Sequence, residues 1–166
     1  MEVRVAAYSQ EWPERFEFER AHLTVALRPW LSAEVQHVGS TAVAGLAAKP
    51  IIDMVAGVRD LEEARHAIDV LAQHDYSHAD HRPHEALWFF KPAHSQYAER
   101  TYHLHLTEVG SDLWRERLGF RDALRADPSL ASRYQTLKRR LADCHETVAE
   151  YTQGKRAFVL EVLSGL

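Results

Sequence analysis

Cysteine is nearly absent from this chain of 166 residues, which carries only Cys144. An internal disulfide is therefore excluded, and so is a metal centre built on cysteines. Such usage suits a reducing compartment, and we expect a cytoplasmic protein. Long apolar runs are also lacking. None approaches the roughly 20 residues that a membrane-crossing helix needs, so no membrane association is expected. Residues 1–5 hold no basic stretch leading into an apolar one, and no secretory signal is expected there. Positive charge is not in excess either: 20 Lys and Arg against 24 Asp and Glu give a net charge of −4. A global field that would draw the protein onto nucleic acid or anionic lipid is thus missing, and no strong nucleic-acid binding is expected. Repeats and low-complexity linkers are absent as well.

What is present is the composition of an ordered globular protein, with 46% apolar and 27% charged residues. The length fits one domain over residues 1–166, with a core over about 1–108 and a helical segment over about 111–166. Ser9 and Pro13 open a helix expected over 10–30. Residues 33–38 read as a strand and 40–46 as a short helix. Residues 50–58 form a near-continuous apolar run, the mark of a strand covered on both faces. An amphipathic helix is expected over 61–74, and strands over 86–90 and 100–107. Three helices follow, over 111–126, 128–144 and 148–163, separated by Gly110-Ser111 and Asp127-Pro128. The expected class is α+β (mixed α/β), a mixed sheet with an N-terminal helix and a C-terminal helical segment.

Candidate chemistry begins at His37-Val38-Gly39-Ser40-Thr41. A strand ends at Gly39, and the next residues start a helix. Glycine leaves backbone N–H groups unshielded, a helix N-terminus offers unpaired donors, and the hydroxyls of Ser40 and Thr41 add more. This is a phosphate cradle, unless Ser40 merely caps the helix. Asp53 lies inside the apolar run 50–56, where alternation puts Ile51, Asp53 and Val55 on one face. A carboxylate there must meet a cation, a metal or several donors. Serine turn and aspartate together form a layout for a magnesium–nucleotide.

The stretch His37-Val-Gly-Ser-Thr-Ala-Val-Ala-Gly-Leu-Ala-Ala-Lys49-Pro-Ile-Ile-Asp53 resembles the signature of GrpB-like proteins. The resemblance continues through Tyr102-His-Leu-His105, Phe120-Arg-Asp-Ala-Leu-Arg125 and Tyr151-Thr-Gln-Gly-Lys155-Arg-Ala-Phe158. These proteins are placed in the nucleotidyltransferase superfamily, so the resemblance implies a nucleotidyltransferase-like core with an added helical segment. Some relatives look fused to dephospho-coenzyme A kinase, which points to nucleotide or coenzyme metabolism. Active nucleotidyltransferases carry a second acid two residues further along this strand and a third on a neighbouring one. Here the second position is Val55.

In residues 101–107, alternation puts His103 and His105 on one face, about where the third acid would stand. With Asp53 they form the expected catalytic and metal set, with magnesium or manganese as the metal. Gly39, Ser40, Thr41, Lys49, Arg121, Lys138 and Lys155 are the expected phosphate contacts. Lys155 falls on the apolar stripe of Val148, Tyr151, Phe158 and Val162. Its ammonium must therefore snorkel or meet an anion, with Asp53 or another carboxylate standing in when no ligand is bound. His74, His78, His81 and His84 read as an exposed loop, and Trp88-Phe89-Phe90 as strand core. The function expected is metal-dependent nucleotidyl or phosphoryl transfer on a nucleotide or coenzyme-like phosphate compound. A metal-dependent phosphohydrolase and a catalytically degenerate regulatory nucleotide binder are the alternatives.

Overall fold

The computed structural model describes residues 5–144 and 147–165. Helix α1 (Glu11–Ala26) opens the chain, with Ser9 Oγ accepting the Glu11 N–H at 3.2 Å. It stops short of the expected residue 30, because Pro29 disfavours helical geometry at the residue before it. Then come strands β1 (Gln36–Val38) and β2 (Ile52–Val58), helix α2 (Ala67–Ala72), strands β3 (Ser77–Ala79), β4 (Leu87–Lys91) and β5 (Tyr102–Glu108), and helices α3 (Asp112–Ala126), α4 (Pro128–Cys144) and α5 (Val148–Ser164). The architecture is α+β with a mixed sheet in the order β1-β2-β5-β4-β3. Only β2 and β5 run parallel; the other pairs are antiparallel. No helix among the described residues is long and apolar enough to cross a membrane.

Strand alternation splits the sheet into two unlike faces. Ile52, Met54, Leu104, Leu106, Leu87 and Phe89 point toward α1 and α2 and form the main core. The opposite face carries Asp53 and Val55 from β2, His103 and His105 from β5, and Phe90 and Trp88 from β4, paired in that order across the ladder. The C-terminal helices build a second core against the loop after β1, in which Val43 and Leu46 meet Leu124, Tyr134 and Phe158. The Tyr134 and Phe158 rings stack at 5.4 Å, and Phe120 meets Tyr134 edge-on at 5.1 Å. Each such pair is worth roughly 0.5–1.5 kcal/mol beyond area burial. Gly154 lets α5 close onto α4, since a Cβ there would lie 2.6 Å from Leu141. The tail is thereby held against the sheet with its lysines at the seam.

Three expectations are corrected. Residues 40–46 are not a helix: one 3-10 turn, Ser40–Ala42, gives way to extended Val43 and to Gly45 at φ +81°. A helix-terminus dipole is therefore not the source of the cradle. The polar stretch around His78 contains edge strand β3, whose short, mixed pattern gave no period to read. Trp88-Phe89-Phe90 is not uniformly core. Phe89 is buried, while Trp88 and Phe90 are half-buried on the other face.

Candidate functional site: a cationic cleft at the sheet–helix seam

A cleft of about 210 Å³ opens where the polar sheet face meets the helical tail. Gly39, Ser40, Thr41, Lys49, Asp53, His103, His105, Lys138 and Lys155 all border it, although they come from widely spaced parts of the chain. Parallel pairing of β2 with β5 sets Asp53 directly beside His103 and Val55 beside His105.

Gly39 has φ +73°, a region that favours glycine, and a Cβ there would sit 2.6 Å from Asp53 Oδ2. The residue thus serves both the backbone turn and the room beside the carboxylate. Ser40 caps no helix; its Oγ accepts a hydrogen bond from Lys138 Nζ at 2.8 Å. Lys138 also donates to the Ala47 carbonyl at 2.8 Å, and it is 3% exposed. No carboxylate among the described residues lies within 4.0 Å of it. Burial, and then the neighbouring Lys155 and Lys49, hold its ammonium down to about 7, with Asp53 opposing. Thr41 is turned inward. Its hydroxyl joins His37 Nε2 at 2.8 Å and bonds the Ile51 carbonyl, so it braces the turn and offers the cleft no free donor.

Lys155 meets no stand-in carboxylate among the described residues, contrary to expectation. Its ammonium lies over the Tyr151 ring at 4.5 Å, and burial followed by Lys49 lowers it to about 8. Lys49 lies over the same ring at 4.7 Å and donates to Tyr97 Oη at 3.0 Å. The Val148 side chain of the expected stripe lies outside the described residues. Arg121 is not at the cleft. It donates to Gln36 and to the His37 carbonyl, pinning α3 to β1. The residue one turn earlier, Arg117, reaches the cleft instead. Helical spacing from Arg121 points to it, but the sequence carries no sign of which arginine faces inward. Tyr97 was equally illegible, because it borders the cleft from a short 3-10 turn, Tyr97–Glu99.

Asp53, His103 and His105, the expected metal set, share one face of the sheet. Among the described residues no three of His, Cys, Asp and Glu converge on one ion position. His103 Nδ1 instead donates to Asp53 Oδ1 at 3.2 Å. Burial alone would raise the Asp53 carboxyl, but the hydrogen bond and charge of His103, with the charges of His105 and Arg117, together outweigh it and hold the group at about 2. His103 Nε2 and His105 Nδ1 are buried without a partner among the described residues, and burial pushes His105 well below its ordinary range. The surface histidines do not join the site: His74, His81 and His84 are exposed, and His78 packs on Phe89 at 5.3 Å.

Most of the cleft comes from the stretches that resemble GrpB-like proteins, with Tyr97, Arg117 and Lys138 added from outside them. Residues 2–164 match the family model described as GrpB protein. YqkA of Bacillus subtilis is 32% identical over 158 residues, covering 95% of this chain, which spans 45% of that protein's length. The glutamate-rich protein GrpB of Alkalihalophilus pseudofirmus is 31% identical, covering 98% of this chain and 95% of that one. Among solved structures, the conserved protein GrpB from Enterococcus faecalis superposes with a TM-score of 0.83 at 28% identity, covering 98% of both chains. The Cid1 poly(U) polymerase gives a TM-score of 0.48 at 10% identity, over 81% of this chain and 44% of that one. The chain belongs to the GrpB protein family.

Proposed function

We propose that the cleft binds the phosphates of a nucleotide or coenzyme-like compound and supports nucleotidyl or phosphoryl transfer from it. The observation that carries this reading is the pairing of Ser40 with Lys138: a lysine withdrawn from water, held by a hydroxyl and a carbonyl, with no carboxylate of the described residues within 4.0 Å. A buried ammonium without an anion is costly, and a phosphate placed at Ser40 supplies one. Lys49, Lys155 and Arg117 border the same space and add to the attraction.

Asp53 and His103 suit proton transfer. The carboxylate lies 3.2 Å from His103 Nδ1 and orients the imidazole at the edge of the cleft, where a carboxylate–imidazole pair can relay a proton. The arrangement also fits a second reading, a regulatory binder without turnover. Val55, where nucleotidyltransferases carry an acid, is fully buried.

A thermal-shift screen of pyrophosphate, nucleotides and coenzymes tests the proposal. A ligand at 100 times its Kd adds about 2.7 kcal/mol of stability. If no phosphate compound raises the melting temperature, the reading is wrong. If ligands bind but are never turned over, the second reading stands.

A further inference from the structure

Resting on that phosphate-binding reading, we infer that the cleft takes a di- or triphosphate free of magnesium, with lysine and arginine side chains balancing the charge that a divalent ion balances elsewhere. The donor set does not fit the metal that the resemblance implies. Phosphoryl transfer through metal ions uses several carboxylates to fix them. Among the described residues this cleft offers Asp53 alone, and one of its oxygens already accepts a hydrogen bond from His103. Its ladder neighbour on β1 is Val38, and the next residue along its own face is the buried Val55. Histidine nitrogens do not make up the deficit, because magnesium prefers oxygen ligands.

The charges point the same way. Lys49, Arg117, Lys138 and Lys155 share the cleft with Asp53. A divalent cation brought to Asp53 would be repelled by these four like charges. A bare polyphosphate meets the opposite situation. Each cation attracts it, and Lys138 regains the counter-charge that burial denies it.

Calorimetric titration of the whole chain with pyrophosphate decides the matter, run in EDTA and again with excess magnesium. Binding in EDTA that weakens about tenfold once magnesium complexes the ligand supports the inference; that factor corresponds to 1.4 kcal/mol. Asp53→Asn removes the carboxylate charge that borders the cleft and should leave the affinity in EDTA equal or tighter. Tighter binding with magnesium, or loss of binding in a folded Asp53→Asn protein, overturns the inference while leaving the phosphate-binding reading intact. Absence of binding in both media overturns the two together. Should Asp53→Asn fail to fold, as circular dichroism would reveal, the wild-type comparison alone still decides.

Discussion

Gly39 and Asp53 occupy space that only one side chain can fill: a Cβ on residue 39 would lie 2.6 Å from Oδ2 and 3.2 Å from Cβ of Asp53. Gly39→Ala should therefore cost more than the roughly 1–2 kcal/mol of a left-handed non-glycine residue. Adding Asp53→Ala should recover part of the lost stability, with a coupling of about 0.5–3 kcal/mol between the two sites. Urea denaturation of both single variants and the double variant checks this. Strict additivity would mean that the contact is relieved by other movements.

Lys138→Met keeps the apolar stem and removes a buried ammonium that, among the described residues, has no carboxylate beside it. Stability should hold or rise by up to about 2 kcal/mol, since an unpaired buried charge is unfavourable. Pyrophosphate affinity should fall at least about tenfold, the loss expected for one charge-assisted hydrogen bond. Equal affinity in the variant would mean that the lysine only holds the 40–47 loop in place.

Proton uptake should accompany binding. Lys138 at about 7 and Lys155 at about 8 lie below their ordinary range, and the groups around them are Lys49, Arg117, Arg139 and Asp53. Both lysines are charged below pH 7, so phosphate affinity should be highest there and fall as pH rises through 7 to 8. For the ligand-free protein the sign reverses. The unfolded chain keeps these lysines protonated up to about 10.4, so it binds more protons than the folded one, and stability should rise with pH from 7 to about 10. Titration in two buffers of different ionisation enthalpy measures the uptake directly. A buffer-independent heat would contradict it.

His37 links the turn to acid sensitivity. It is 6% exposed, stacks on Phe16 at 4.8 Å and bonds Thr41, and burial holds it down to about 4. A base with a depressed folded value destabilises the fold once protonation of the unfolded chain begins. Stability should therefore drop between pH 6.5 and 4, by up to roughly 3 kcal/mol. His37→Gln, which retains a side-chain amide donor, should flatten that slope. An unchanged slope in a folded variant would place the acid sensitivity elsewhere.

Much of the site was legible in the residues themselves. Alternation alone puts Asp53 on the face of Ile51 and Val55 and sets His103 with His105, because a strand's side chains repeat every two positions whatever surrounds it. Lys155 stood out because a cation on an apolar stripe conflicts with its neighbours. The family was legible for a different reason: long stretches of the chain match the signature of one protein group.

Other features had no local signature. That Asp53 lies beside His103, rather than on the far side of the sheet, depends on parallel pairing of β2 with β5, strands 50 residues apart. Whether Arg117 or Arg121 enters the cleft depends on the angle at which α3 lies across β1. That angle is set by side chains from both elements. The expected helix at 40–46 failed because Val43 and Gly45 are recruited to the second core and the return to β2, overriding a local preference worth only about 1 kcal/mol per residue. Periodicity, composition and the types of side chain available for chemistry are properties of the chain. The pairing of Lys138 with Ser40, across 98 positions, exists only after the tail has packed onto the sheet. Long-range contacts of this kind are decided by the closing of a core, which no short window of sequence contains.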